Sequence, residues 1–302
     1  MSVKDVKGYD PLLTDYFLSI TGHNAAMADA IAPRADSDEH GKYRYVKLGD
    51  LGRKINDVVA DKQRAKQVSF ATGSDAYVCT KHGFEAVISD DERKAASNQT
   101  QLEQEQVLPL ALIMALNREI EVRDVTKGAT VPSADCQAKW NALAGTKIQD
   151  DIRIAVEAVV VGTGGFFMPN LMGVPFSVAM AFGGAAELEA YMTKVFASIV
   201  ADGVMPPSWR GMKVLVPTVM ENVAPEGRAD DVDAVWEDSV FIGYCAANPY
   251  AFATTFTWQR GSVKKRDELV DCDVYQLRDW RVPKVTNANA GYRIKKCLTL
   301  GD

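Results

Sequence analysis

Val159-Val160-Val161-Gly162-Thr163-Gly164-Gly165-Phe166-Phe167-Met168-Pro169-Asn170 is the stretch on which the fold turns. A dinucleotide site needs G-x-G-x-x-G between a strand and a helix, so that backbone N–H groups and the helix N-terminus meet a pyrophosphate. Here the third glycine position holds Phe167, and Met168-Pro169-Asn170 stands where the helix should begin. The residues upstream decide the order of elements. Ile148, Ile152, Ala155, Val156 and Val159 recur at i, i+4, i+7, i+8 and i+11, the spacing of one helical face, which predicts a helix from about Gln149 that stops at Gly162. Helix, glycines, strand is the reverse of a nucleotide-binding turn, and the glycines read as a helix stop. No G-x-x-x-x-G-K-[ST] loop occurs either. A nucleotide-dependent oxidoreductase using Gly162–Gly165 is a competing function only.

Working outward, residues 171–182 read as a buried strand and 185–201 as a helix, with strands over 212–219, 239–246, 252–259 and 292–298. Helix and strand mix without a regular repeat, which favours α+β. Upstream, Ser89-Asp90-Asp91-Glu92 is an S-x-x-E capping box and predicts the start of a long helix. That helix is polar to Gln106 and apolar from Val107 to Val122, which places Leu112 and Ile113 in its packed half; Pro109 should kink or divide it. Residues 42–47 alternate as a strand does, and 76–79 and 84–87 give further strand candidates. Between them lies a charged stretch with little to bury, as in a projecting hairpin. Before residue 40 only 11–20 has an amphipathic pattern, within what reads as a loosely structured arm.

The 302 residues are 47% hydrophobic and 25% charged, which suffices for a substantial core. No apolar run reaches the roughly 18–20 residues of a membrane helix, and the first residues lack the apolar stretch of a signal peptide. A net charge of −6 argues against a dedicated nucleic-acid binder. Charge is nevertheless unevenly spread. Residues 42–88 hold nine Lys/Arg against five Asp/Glu, whereas Glu221 to Asp238 holds seven Asp/Glu against one Arg, a complementarity usable between copies.

Chemistry is sparse. The three histidines are His23, His40 and His82, and the single C-x-x-H spacing, Cys79 with His82, has no second ligand pair, so no metal site is assigned. The pairs Asp150-Asp151 and Asp230-Asp231 read as caps or solvated carboxylates rather than acid–base groups. Five widely spaced cysteines without a CxxC read as free thiols. No catalytic residue, no cofactor and no metal is expected.

Several stations in order resemble the major capsid proteins of tailed bacteriophages, the Hong Kong ninety-seven type fold shared by encapsulins and herpesvirus shells. Ile31-Ala32-Pro33 followed by Gly41-Lys42-Tyr43 resembles the passage from arm to extended loop, and Phe84 to Arg93 resembles that loop's return into a spine helix. Trp140 with Asp150-Asp151-Ile152, then Met168-Pro169-Asn170-Leu171-Met172-Gly173, resembles the helix and the apolar strand after it. Trp236-Glu237-Asp238-Ser239-Val240 and Gly291-Tyr292-Arg293-Ile294 match the closing strands. The resemblance implies an arm over 1–40, an extended loop over 41–85, a peripheral domain with the spine helix over 86–146, an axial domain over 147–268 and closing peripheral strands over 269–302. It also implies a non-enzymatic protein whose copies form pentamers and hexamers, closing into an icosahedral shell around double-stranded DNA. The implied location is the virion capsid, assembled in the host bacterial cytoplasm without a membrane. A separate scaffolding protein, a portal and a decoration protein are candidate partners; only about 40 residues precede the loop, so scaffolding would come from another chain. An encapsulin-type nanocompartment shell is the alternative within the same fold.

Overall fold

A computed structural model describes residues 10–20, 26–46, 72–142, 145–183 and 205–299, with residue 185 and scattered positions between 54 and 69. The chain enters through α1 (Pro11–Ser19) and the single turn α2 (Ala28–Ile31), adds β1 (Arg34–Asp36), and runs out and back through β2 (His40–Val46) and β3 (Thr72–Val78). Next come β4 (Thr80–Ser89), α3 (Asp90–Ala95), α4 (Gln99–Thr126), β5 (Ser133–Asp135) and α5 (Ile148–Gly162). The second half carries β6 (Leu171–Gly173), α6 (Phe176–Gly183), β7 (Ser208–Trp209), β8 (Met212–Leu215), β9 (Met220–Asn222), β10 (Val232–Ala234) and β11 (Val240–Gly243). It closes with β12 (Ala253–Asp267), β13 (Cys272–Val285) and β14 (Gly291–Lys295).

Two sheets organise the molecule. The first has the order β1-β12-β13-β4, and the spine helix α4 lies on it, burying Val107, Ala111 and Met114 with Ile88, Tyr275 and Leu277. The second, β5-β14-β11-β6-β8-β7, is covered by α5, whose buried face is Ile148, Ile152, Ala155 and Val159, as the spacing predicts. A third cluster brings Val122 of the spine together with Phe241 of the second sheet, Phe252 and Trp236. Asp151, on the first turn of α5, is buried and accepts hydrogen bonds from the Trp140 indole Nε1 (3.0 Å) and the Gln137 amide (3.2 Å). It is therefore an anchor for the preceding loop, and its neighbour Asp150 stays exposed beside Arg153.

The opening stretch resolves into a Schellman stop. Gly164 N–H donates to Val161 O (3.0 Å) and Gly165 N–H to Val160 O (2.8 Å), with φ of +67° and +81° that a side chain would resist. Thr163 Oγ1 adds a bond to Val159 O (2.8 Å), so backbone groups of the turn are spent on ending α5. Asn170 then fixes the strand that follows: its side chain both donates to Cys245 O and accepts from Cys245 N, each at 2.8 Å.

Four expectations need correction. The capping box at Ser89 is real, with Glu92 N donating to Ser89 Oγ and Ser89 N to the Glu92 carboxylate, yet the helix it opens ends at Ala95. Ala96 is extended, and Asn98 caps a second helix through the Thr100 and Gln101 amides, so the spine begins at Gln99. Pro109 does not divide the spine, which runs unbroken to Thr126; Glu105, whose carbonyl loses its donor, is exposed and solvent can serve it. Ile113 is exposed and Leu112 half-buried, because only one side of the helix meets the sheet. Residues 171–182 are not one strand: Pro175 opens α6, its carbonyl accepting from Ala179 N–H.

The arm is also less loose than its composition suggests, since Leu13 and Phe17 of α1 are fully buried against the first sheet. The long strand β13 has no counterpart among the expected strands, and β12 extends eight residues beyond the expected end at 259. The β12–β13 pair spans the turn at 268–271, so the boundary expected at 268 falls inside one sheet. The helix expected over 185–201 and most of the extended loop's tip lie outside the described residues.

Candidate assembly surfaces

The hairpin β2–β3 is a two-stranded sheet of its own, paired from His40↔Val78 to Val46↔Thr72. Its alternating side chains are exposed or half-buried along β3, with Val78 at 65%. Only its base is fastened. Tyr77 and Tyr43 stack on Phe256 with centroids 4.2 and 5.4 Å away, and Tyr43 O–H donates to Val285 O (3.4 Å) and the Asp75 carboxylate (3.3 Å). Burial and then the Asp75 charge push the Tyr43 hydroxyl up to about 12, so it stays a donor at neutral pH. Lys284 pairs with Asp75 (2.7 Å) and bonds Ala76 O, and the Asp75 carboxyl is held below its usual range chiefly by that lysine. Beyond the paired residues, Ile55, Val58, Val59 and Val68 are all at least 41% exposed.

A chain of buried charges joins the arm, the spine and the first sheet. Asp279, 1% exposed, accepts from Arg34 through both carboxylate oxygens (3.2 and 3.0 Å) and from Arg281 (2.9 Å). Arg281 in turn donates to both oxygens of Glu121 on α4 (2.9 and 2.8 Å), beside which His82 Nδ1 lies at 3.5 Å. Burial and then Arg281 depress the His82 imidazole below its ordinary value, which favours the neutral ring. Glu119, also on the spine, accepts from the Ala28 amide (2.7 Å) and from the Trp236 indole (3.0 Å). These contacts fix how the arm enters the subunit.

The groups singled out in the sequence are dispersed. Cys79 is buried, its Sγ 3.6 Å from Phe256 O and 3.8 Å from Ser37 Oγ, while His82 faces Glu121; the two share no ligand geometry, and no metal-holding cluster occurs among the described residues. Asp230 and Asp231 belong to a loop organised by Asn222, whose side chain bonds the Asp230 carboxylate and the Asp231 amide. The acidic segment is partly neutralised within the subunit, because Glu221 pairs with Arg123 (2.7 Å) and Glu237 with Lys127 (2.6 Å), both at the C-terminal end of the spine. Its complementarity to the basic hairpin thus concerns only the remaining carboxylates.

Neither a family model nor a curated protein matches the sequence. Solved structures do. A phage-related protein from Bordetella bronchiseptica RB50 superposes with a TM-score of 0.73 at 18% identity, over 97% of this chain and 98% of that one. The mature capsid of bacteriophage PhiM1 gives 0.57 at 12% identity over 91% and 87%, and the SrpI encapsulin of Synechococcus elongatus PCC 7942 gives 0.54 at 10% identity over 100% and 96%. The chain has the α+β fold of phage major capsid proteins, the Hong Kong ninety-seven type.

Proposed function

We propose that the protein is a non-enzymatic shell subunit, the major capsid protein of a tailed bacteriophage, whose copies form pentamers and hexamers and close into an icosahedral capsid around double-stranded DNA. One observation carries the proposal beyond the fold. The β2–β3 ribbon has one face exposed and the other only half-buried, and a two-stranded ribbon is at best marginally stable in water. A neighbouring copy lying against it supplies the missing cover, and the exposed valines beyond it would be buried in the same contact. The turn at Gly162–Gly165, committed to ending a helix, gives an oxidoreductase no phosphate cradle.

In this reading the arm spans 1–40, the extended loop 41–85, and the spine lies in a peripheral part over 86–146. The axial part runs from 147 and the closing peripheral strands lie toward 302; because β12 shares a sheet with β13 and β4, we draw the axial limit near 252 rather than 268. Assembly would take place in the host bacterial cytoplasm, and scaffolding, portal and decoration proteins are the expected partners. The net charge of −6 suits a wall that encloses DNA without gripping it.

Electron microscopy of the purified protein with sedimentation of the same sample tests this. Closed shells, or rings of five or six subunits, support it. Shells recovered with peptide-tagged protein cargo and without DNA would replace it by the encapsulin alternative, and a strictly monomeric 33 kDa species that still fails to assemble with a co-expressed scaffold would refute both.

A further inference from the structure

Between α1, α4 and the long strands lies a cavity of about 200 Å³, far more than one water needs, lined by three arginines and three carboxylates. The carboxylates are all occupied. Asp29 takes Arg118 (2.6 Å), Asp279 takes Arg34 (3.0 Å) and Arg281 (2.9 Å), and Glu119 takes the Ala28 amide (2.7 Å) and the Trp236 indole (3.0 Å). Arg260 is left over. Its guanidinium lies 4.4 Å over the Phe17 ring, and among the described residues none of its nitrogens donates a hydrogen bond; the Nε is fully covered and without an acceptor.

The residue is half-buried and only its Nε is fully covered, so that one N–H loses water without gaining an acceptor, while the terminal nitrogens stay open to solvent and to a ligand. The surroundings sharpen the cost: burial first, then the nearby Arg34 charge, pull the Arg260 guanidinium down to about 10. We propose that this cavity is a binding site for a small oxyanion, held by the terminal nitrogens of Arg260. The planar fork of an arginine matches two oxygens of a phosphate or a carboxylate, and the aromatic face beneath it fixes the plane of the fork. An anion there would join Arg260 on the long strand to Arg118 on the spine, and the Arg260 fork it holds rests on Phe17 of the arm, so occupancy would fasten the arm to the subunit body.

Inorganic phosphate is the first probe, titrated in the low millimolar range into the wild-type chain at constant ionic strength. Phosphorus-31 line broadening and the thermal midpoint are followed together. Saturable broadening is expected, with a midpoint that climbs with phosphate as linkage requires. Arg260→Gln should weaken phosphate binding by at least about tenfold, the loss of a charge-assisted pair, and Arg260→Lys, which keeps the charge but not the fork, should fall between. Acetate added as competitor separates the sources: displacement assigns the site to carboxylates as well, and resistance narrows it to phosphate. Wild-type protein with no saturable broadening overturns the proposal, and so does phosphate binding that Arg260→Gln leaves unchanged. Should the glutamine variant not fold, the lysine variant and the wild-type titration decide alone.

Discussion

Asp279 and Arg281 project from the same face of β13, two residues apart, and meet at 2.9 Å with side chains only 2% and 1% exposed. Arg34 approaches the same carboxylate from the arm, so one buried aspartate balances two arginines from different parts of the chain. Burial pushes the Asp279 carboxyl up, but Arg34 and Arg281 outweigh it and hold the group at about 2.

We expect Asp279→Asn to be among the most damaging single changes in the subunit. It would leave Arg34 buried with a neutral partner, while Arg281 keeps the Glu121 carboxylate, and breaking a buried pair typically costs about 3–5 kcal/mol. Urea unfolding should show a lower midpoint with an unchanged slope. A loss under about 1 kcal/mol would mean that the arginines find other acceptors.

The same pair sets an acid limit. The folded carboxyl titrates at about 2, below the ordinary 3.8, so its stabilisation is fully present above about pH 4 and is lost as pH falls toward 2. The stability difference between wild type and Asp279→Asn should therefore be flat from pH 5 to 7, roughly the range above the unfolded pKa, and shrink below about pH 4. A gap as large at about pH 2, the folded value, as at about pH 6 would show that the asparagine acts by shape rather than charge.

How much of this was legible beforehand depends on what each element buries. Helix α5 was readable to within a residue because its inner face, Ile148 to Val159, is apolar apart from the buried Asp151, which leaves the helical spacing intact. Strand β13 escaped because its inward face changes character midway: Tyr275 and Leu277 are followed at the same spacing by Asp279 and Arg281, which hydropathy marks as outward. The run 171–182 misled for a different reason, since a stretch apolar on all sides carries no period to tell strand from helix. As for the surfaces, the basic hairpin and the acidic segment were visible as charge, but the internal partners Arg123 and Lys127 were not, because they lie about 100 residues away.

The spine helix offers a contrast between neighbours. Met114 is buried against Tyr275 and Leu277, whereas Ile113 is 45% exposed. Met114→Asp should abolish soluble folding by burying a charge, and Ile113→Asp should leave the thermal midpoint within a few degrees. Equal damage from both would mean that the helix is rotated from the face assigned.

At the helix stop, Gly165 stands at φ +81° with open space around its Cα, so an alanine there meets strain without a clash. Gly165→Ala should cost about 1 kcal/mol, the left-handed penalty of an L residue. Circular dichroism of the folded protein should be unchanged and only the midpoint lowered.

The hairpin can be shortened at a point that the pairing defines. Val46 and Thr72 face each other in register, so residues 47–71 can be replaced by a short turn containing Asn-Gly without disturbing β2, β3 or the stacking of Tyr43 and Tyr77 on Phe256. Among the described residues, the apolar clusters are built from positions outside that segment. We therefore expect the shortened protein to unfold at nearly the wild-type temperature yet to sediment as free subunits or rings rather than closed shells. Shells of normal size and stability would place the contacts that close the assembly elsewhere, and loss of folding would mean that residues 47–71 stabilise the subunit itself. Because the two readouts separate folding from assembly, the experiment also tells whether the exposed Val58 and Val59 are covered by a neighbour or by their own chain.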